Sequence, residues 1–209
     1  MPGNAPKSNK PYISIIEGNI AQKVDKDTEG AKYREFELSD KTKGAKWELI
    51  FNSWTGTIQN ITFKETNFGE MCNIELDDAI LSLNTASRYF SDLACKLFNG
   101  DIKQKFTFHP YDFEVDGKRK SGISLQQNGV KLKNYFYDGT KNLHDFPEVD
   151  KEKSIKKTYW KIYFAEVAEF LIEKIKKLKF APKVNQGKVE EIEISMDDIP
   201  GKPDDGLPF

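Results

Sequence analysis

The chain has 209 residues, 38% of them hydrophobic and 12% aromatic, which is material for one good-sized domain plus extensions. No stretch approaches the roughly 20 apolar residues that cross a bilayer, and the opening MPGNAPKSNKP lacks the apolar core of a secretory signal. Cys72 and Cys95 alone cannot make a disulfide framework; they suit a reducing, cytoplasmic setting and read as buried thiols.

Net charge is −1, but the average hides a partition. Residues 151–183 hold ten basic and four acidic side chains, whereas residues 184–209 hold two and seven. A basic segment followed by an acidic one is an asymmetry of the kind found in nucleic-acid or partner binding.

Along the chain, residues 1–10 read as a loose arm. Residues 12–16 form an apolar strand candidate, followed by the polar loop QKVDKDTEGAK. From Lys46 the pattern turns to β: KWELIF places Trp47, Leu49 and Phe51 on one face, TGTIQNITF runs on to Phe63, and a turn at residues 66–69 leads into MCNIEL. Asp77 and Asp78 turn the chain into AILSL. The period then changes. With Asn84 as N-cap, Ala86, Tyr89, Phe90, Leu93, Ala94 and Leu97 recur at helical spacing, and FNG ends the helix.

Strands resume with IKQKFTFH, a hairpin at VDGK whose Asp-Gly suits a tight turn, a second turn at QNG, and VKLKNYFY. After a loop comes one long helix, about 154–179, with Trp160, Phe164, Val167, Leu171, Ile175 and Leu178 on its inner stripe. Residues 181–209 are polar and acidic and are expected to form a disordered tail.

Three strands, a helix and two strands is the order of the OB-fold, a small Greek-key barrel that binds single strands or oligosaccharides. The expected fold is therefore mainly β with helices. A five-stranded OB-type barrel would occupy about 46–137 of a domain spanning 11–180, elaborated by N-terminal strands and the long C-terminal helix.

The strands after the first helix carry the candidate site. In DIKQKFTFHPY, Lys103, Lys105, Thr107 and His109 share one face, while Ile102, Gln104, Phe106 and Phe108 share the other. In VKLKNYFY, Lys131, Lys133, Tyr135 and Tyr137 oppose Val130, Leu132, Asn134 and Phe136. The hairpin between adds Lys118, Arg119 and Lys120. Cations that track phosphates and rings on which bases stack are the two ingredients of a single-strand platform. Tyr111 joins the rings, and Trp54, outside its strand's alternation, is a further stacking candidate.

Two carboxylate clusters invite an enzymatic reading. Glu75, Asp77 and Asp78 could hold Mg²⁺, and Glu114, Asp116 and Lys118 faintly echo a restriction-type nuclease. Against both, Asp77-Asp78 and Asp116-Gly117 sit where turns are wanted, and turns use Asp for local hydrogen bonds. Cys72, Cys95, His109 and His144 lack the close pairing of zinc ligands. No catalysis, metal or cofactor is expected.

The sequence ends DDGLPF, with a partial echo in MDDIPG at residues 196–201. Aspartates, a proline that limits the entropy lost on docking, and a terminal ring suit a pocket with an apolar hole and a basic rim. This ending resembles the tip of bacterial single-stranded DNA-binding proteins, residue by residue at Asp204, Asp205, Leu207, Pro208 and Phe209. Acidic tails ending in Phe also occur in the tailed-phage single-stranded DNA-binding proteins, whose OB domain is elaborated. Gly206 departs from the usual aspartate run, and the long helix favours the phage-type relatives.

The resemblance implies that the tip recruits replication, recombination or repair proteins and competes with DNA for the basic face. It is compatible with a homo-oligomer and with a bacterial or phage-infected cell. The expected function is sequence-tolerant binding of single-stranded DNA, with an annealing mediator or a protein-interaction adaptor as alternatives.

Overall fold

The computed structural model of the chain describes residues 10–37 and 42–180. Its strands are β1 (Tyr12–Ile16), β2 (Asn19–Val24), β3 (Lys32–Glu37), β4 (Lys43–Phe51), β5 (Trp54–Thr66), β6 (Gly69–Leu76) and β7 (Ile80–Asn84). Beyond helix α1 (Arg88–Leu97) come β8 (Lys105–Val115), β9 (Lys118–Gln127) and the two-residue β10 (Val130–Lys131), and helix α2 (Lys157–Lys176) follows. Among the described residues the strands form one mixed sheet in the order β10-β9-β8-β5-β6-β7-β1-β2-β4-β3.

The hairpins follow from local chemistry. Asp116-Gly117 and Asn128-Gly129 both lie at positive φ, the backbone that type I′ turns require and that Asp-Gly and Asn-Gly adopt at least cost. They set Val115 opposite Lys118 and Gln127 opposite Val130. Helix α1 starts at Ser87 rather than at the expected Asn84. The Ser87 hydroxyl accepts the N–H of Phe90, whereas the Asn84 side chain is used one turn earlier, on the N–H of Ala86 and the carbonyl of Phe68.

The expected closed five-stranded barrel is not formed; the sheet is open. Strand β5 pairs with β6 and β8, β6 with β7, and β8 with β9, all antiparallel. The remaining edge of β7 pairs in parallel with β1, not with β9. At β9 the outward backbone groups of Ile123 are satisfied by α1: its N–H donates to Asp92 Oδ2 at 2.8 Å, and its carbonyl accepts from Lys96 Nζ at 2.7 Å. Covering an edge with a helix is one way to blunt it against further pairing.

The core gathers Phe90 and Leu93 of α1, Phe106 and Phe108 of β8, Ile123 and Leu125 of β9, Ile74 and Leu81 of the meander, and Phe136. Helix α2 contributes Val167, Leu171 and Ile175, as its period predicted, but Trp160 and Phe164 of the expected inner stripe stay exposed. This helix begins with no side-chain cap and no acidic residue in its first turn, so its start is secured from outside. The Tyr159 hydroxyl accepts the Asp150 N–H at 2.7 Å, and Trp160 Nε1 donates to the Ser154 carbonyl at 2.9 Å. No helix among the described residues is long and apolar enough to cross a membrane.

Candidate functional site

The alternation read from β8 positions the site. Phe106 and Phe108 are fully buried. Thr107, His109, Tyr111 and Phe113 form the outer row, opposite Gln126, Ser124, Gly122 and Lys120 of β9. Over this face lies a groove of about 720 Å³ lined by Arg88, His109, Pro110, Tyr111, Phe113, Lys120, Ser121, Ser124, Gln126 and Lys131. Three cations and three ring side chains meet there, and no carboxylate is among the lining residues.

Tyr111 is the fixed member. Its ring lies 5.6 Å from that of Phe113, and its hydroxyl donates to Asp92 Oδ2 at 3.2 Å. The same oxygen accepts from Lys96 Nζ and from the Ile123 N–H, so one carboxylate ties α1, β8 and β9 together. Burial, then the Asp92 charge, pushes the Tyr111 hydroxyl up to about 12, so it stays a neutral donor. Opposite Tyr111 only a residue without Cβ fits: a methyl on Gly122 would stand 2.2 Å from Asp92 Oδ2 and 2.5 Å from the Tyr111 hydroxyl oxygen.

A second hollow, of about 680 Å³, adjoins the groove and is lined by Arg88, Lys118, Arg119, Lys120 and Ser121. The Arg119 guanidinium, however, is occupied. It sits opposite Glu114, on the face away from Lys118 and Lys120, and makes a bidentate pair with Asp112 at 2.8 and 2.6 Å. That pair holds the Asp112 carboxyl below its ordinary value. Asp112 also accepts from Tyr89, whose hydroxyl accepts the Gly18 N–H, so Arg119 helps clamp the β1–β2 hairpin to β8.

The expected set divides accordingly. His109, Tyr111, Lys120 and Lys131 share the groove, and Lys118 extends it. Lys105 lies farther along the same row, opposite Thr57, while Lys103 stands in the turn before β8. Trp54 does not belong to this face. It pairs opposite Phe108, on the core side, with its ring edge-on to Phe51 and its Nε1 donating to Asp78 at 3.0 Å.

Lys133, Tyr135 and Tyr137 also fall outside the groove, because VKLKNYFY leaves the sheet after Lys131. The Asn134 side chain accepts the Phe136 N–H, and the Tyr135 N–H goes to the Cys95 carbonyl of α1. Val130, expected to face the core, is exposed. Tyr135 instead stacks on His144 at 4.0 Å, in a separate hollow near Lys174 and Lys177.

Of the carboxylates weighed for metal chemistry, Asp77 accepts the Thr57 N–H and Asp78 the Trp54 indole, while Asp116 forms its turn. Cys72 and Cys95 are buried, and burial pushes both thiols up to about 12. The tip residues Asp204, Asp205, Leu207, Pro208 and Phe209 lie outside the described residues.

Of the groove's ring and cationic side chains, two escaped the sequence reading. Phe113 continues the odd-numbered row of β8 and was legible by extending the alternation. Arg88 carried no signal, since only the packing of α1 beside β9 brings it there, its Nη1 donating to the Arg119 carbonyl at 3.2 Å. Compared with family models, curated proteins and solved structures, the chain matches none of them.

Proposed function

We propose that this protein binds single-stranded DNA on the outer face of β8 and β9 and has no catalytic role there. The observation that carries the reading is the groove itself: His109, Tyr111 and Phe113 offer ring faces, Arg88, Lys120 and Lys131 flank them, and none of its described lining residues is a carboxylate. Stacking on such rings is worth about 1–3 kcal/mol per base and tolerates any sequence, because every base has a π-face. The strand order β9-β8-β5-β6-β7, with α1 before β8, supports treating this unit as an OB-type sheet opened at the β7 edge.

Phosphates would meet Arg88, Lys118, Lys120 and Lys131. Four contacts at roughly −0.7 each give a log–log salt slope of about −3 for a single strand. The acidic segment ending at Phe209 would recruit a replication or recombination protein, a part of the proposal that rests on sequence alone. The test is titration of a labelled oligo-dT with the intact chain and with Tyr111→Ala. The variant is expected to bind at least about fivefold more weakly, the low end of one lost stack. Equal affinities would remove Tyr111, and with it the groove, from the DNA path.

A further inference from the structure

The groove does not stop at β9. A hollow of about 540 Å³ between α1 and α2 shares Arg88, Tyr111 and Ser121 with it, so the two adjoin. The far wall of this hollow includes Phe164 of α2, 56% exposed, and one turn earlier stands Trp160, 36% exposed. The two rings lie 5.8 Å apart at an interplanar angle of 31°. Large side chains left in water in this way mark a surface meant to be covered.

The charges around the rings indicate by what. Residues three or four apart are neighbours on a helix surface. Lys157 therefore flanks Trp160 and Lys161 flanks Phe164, while Lys156 stands at the N-cap just before the helix. All three lysines are exposed, and none forms an ion pair with a described residue. The carboxylate on the hollow's lining, Asp92, is paired with Lys96, and its Oδ2 also accepts from Tyr111 and the Ile123 N–H. The surface thus repeats the composition of the groove and joins it at Arg88, which complements a polyanion with stackable faces.

We infer that a single strand lying on β8 and β9 continues past Arg88 onto α2, stacking bases on Phe164 and Trp160 with its phosphates beside Lys157 and Lys161. This rests on the single-strand reading of the groove and extends the site to a second element. A short oligonucleotide should then fill the groove alone, and only a longer one should reach α2.

The experiment compares oligo-dT of about 5 and about 20 nucleotides, bracketing the site sizes of OB-type domains, on the full chain and on the variants F164A and W160A/F164A. The double variant is expected to lose at least about tenfold in affinity for the longer strand and to keep its affinity for the shorter. In a Trp47→Phe/Trp54→Phe background, Trp160 emission should be quenched by the longer strand only. F164A leaves the Trp160–Ser154 hydrogen bond without a direct change, and a thermal melt matching wild type separates a lost stack from a folding defect.

If wild type and variants bind both lengths alike and Trp160 is not quenched, the α2 extension is wrong while the groove stands. If the variants change only self-association, measured by sedimentation, a second copy covers α2 and the extension is equally overturned. Failure of the wild type to bind either length would overturn both readings.

Discussion

Replacing Gly122 by alanine adds a single methyl group where the groove wall is tightest. The added carbon would stand 2.2 Å from Asp92 Oδ2, 2.5 Å from the Tyr111 hydroxyl oxygen and 2.8 Å from Tyr111 Cζ. A carboxylate alone could swing away, but this one is held by Lys96 and the Ile123 N–H, and the phenol ring is rigid. The methyl must therefore break the Tyr111–Asp92 bond and loosen the Ile123 contact, at about 1 kcal/mol for each neutral hydrogen bond lost and somewhat more for one to a charged group. A total of about 1–3 kcal/mol lowers Tm by roughly 3–10 °C in a chain of this size.

The same step tips the Tyr111 ring out of the groove, so oligo-dT affinity should fall at least about fivefold. Tyr111→Phe is the companion variant: it loses the hydroxyl bond and some stability but keeps the ring and the DNA affinity. Thermal melts and anisotropy titrations on the two proteins separate the effects. A Gly122→Ala protein that melts and binds like wild type would refute the claim that this contact sets the groove wall.

Three further outcomes follow from the same geometry. Lys120→Ala/Lys131→Ala should flatten the log–log salt slope by about 1.4, two phosphate contacts, as measured by titrations across a salt series; an unchanged slope would remove both lysines from the backbone path. Because Arg119 holds the Asp112 carboxyl below its ordinary value, that pair contributes stability above the ordinary carboxylate range and loses it as pH falls through the depressed value. Melts between about pH 5 and pH 2 should therefore show wild type losing more stability than Asp112→Asn, and parallel curves would contradict the assignment. Cys72 and Cys95, buried and raised to about 12, should resist a thiol reagent at pH 8 until the chain unfolds. Fast labelling of the native protein would show that one of them is accessible.

The parts of the site that rest on local periodicity were readable in the residues. β8 is half-buried, so Phe106 and Phe108 inside force Thr107, His109 and Tyr111 outside, and Asp-Gly fixes the hairpin that brings Lys120 beside them. VKLKNYFY shows the same alternation but does not obey it: the Asn134 side chain accepts the Phe136 N–H, a local turn that competes with the ladder. β3 was not foreseen. Its KYREFE lies at the sheet edge with little apolar content, and Arg34 instead pairs with the buried Glu48 of β4 and packs its guanidinium over Phe36. Neither the β1–β7 pairing that leaves the sheet open nor the approach of Arg88 has a local cause, since both depend on elements far apart in sequence.

The central claim is that the β8–β9 face holds a single strand by stacking and by cations. It is tested most directly by anisotropy of labelled oligo-dT and a matched duplex over a salt series, with the intact chain. The account predicts preferential binding of oligo-dT, weakening with a slope of about −3, and a marked loss on Tyr111→Ala. Binding of the duplex as tightly as the single strand, or no binding of either at low salt, would contradict it.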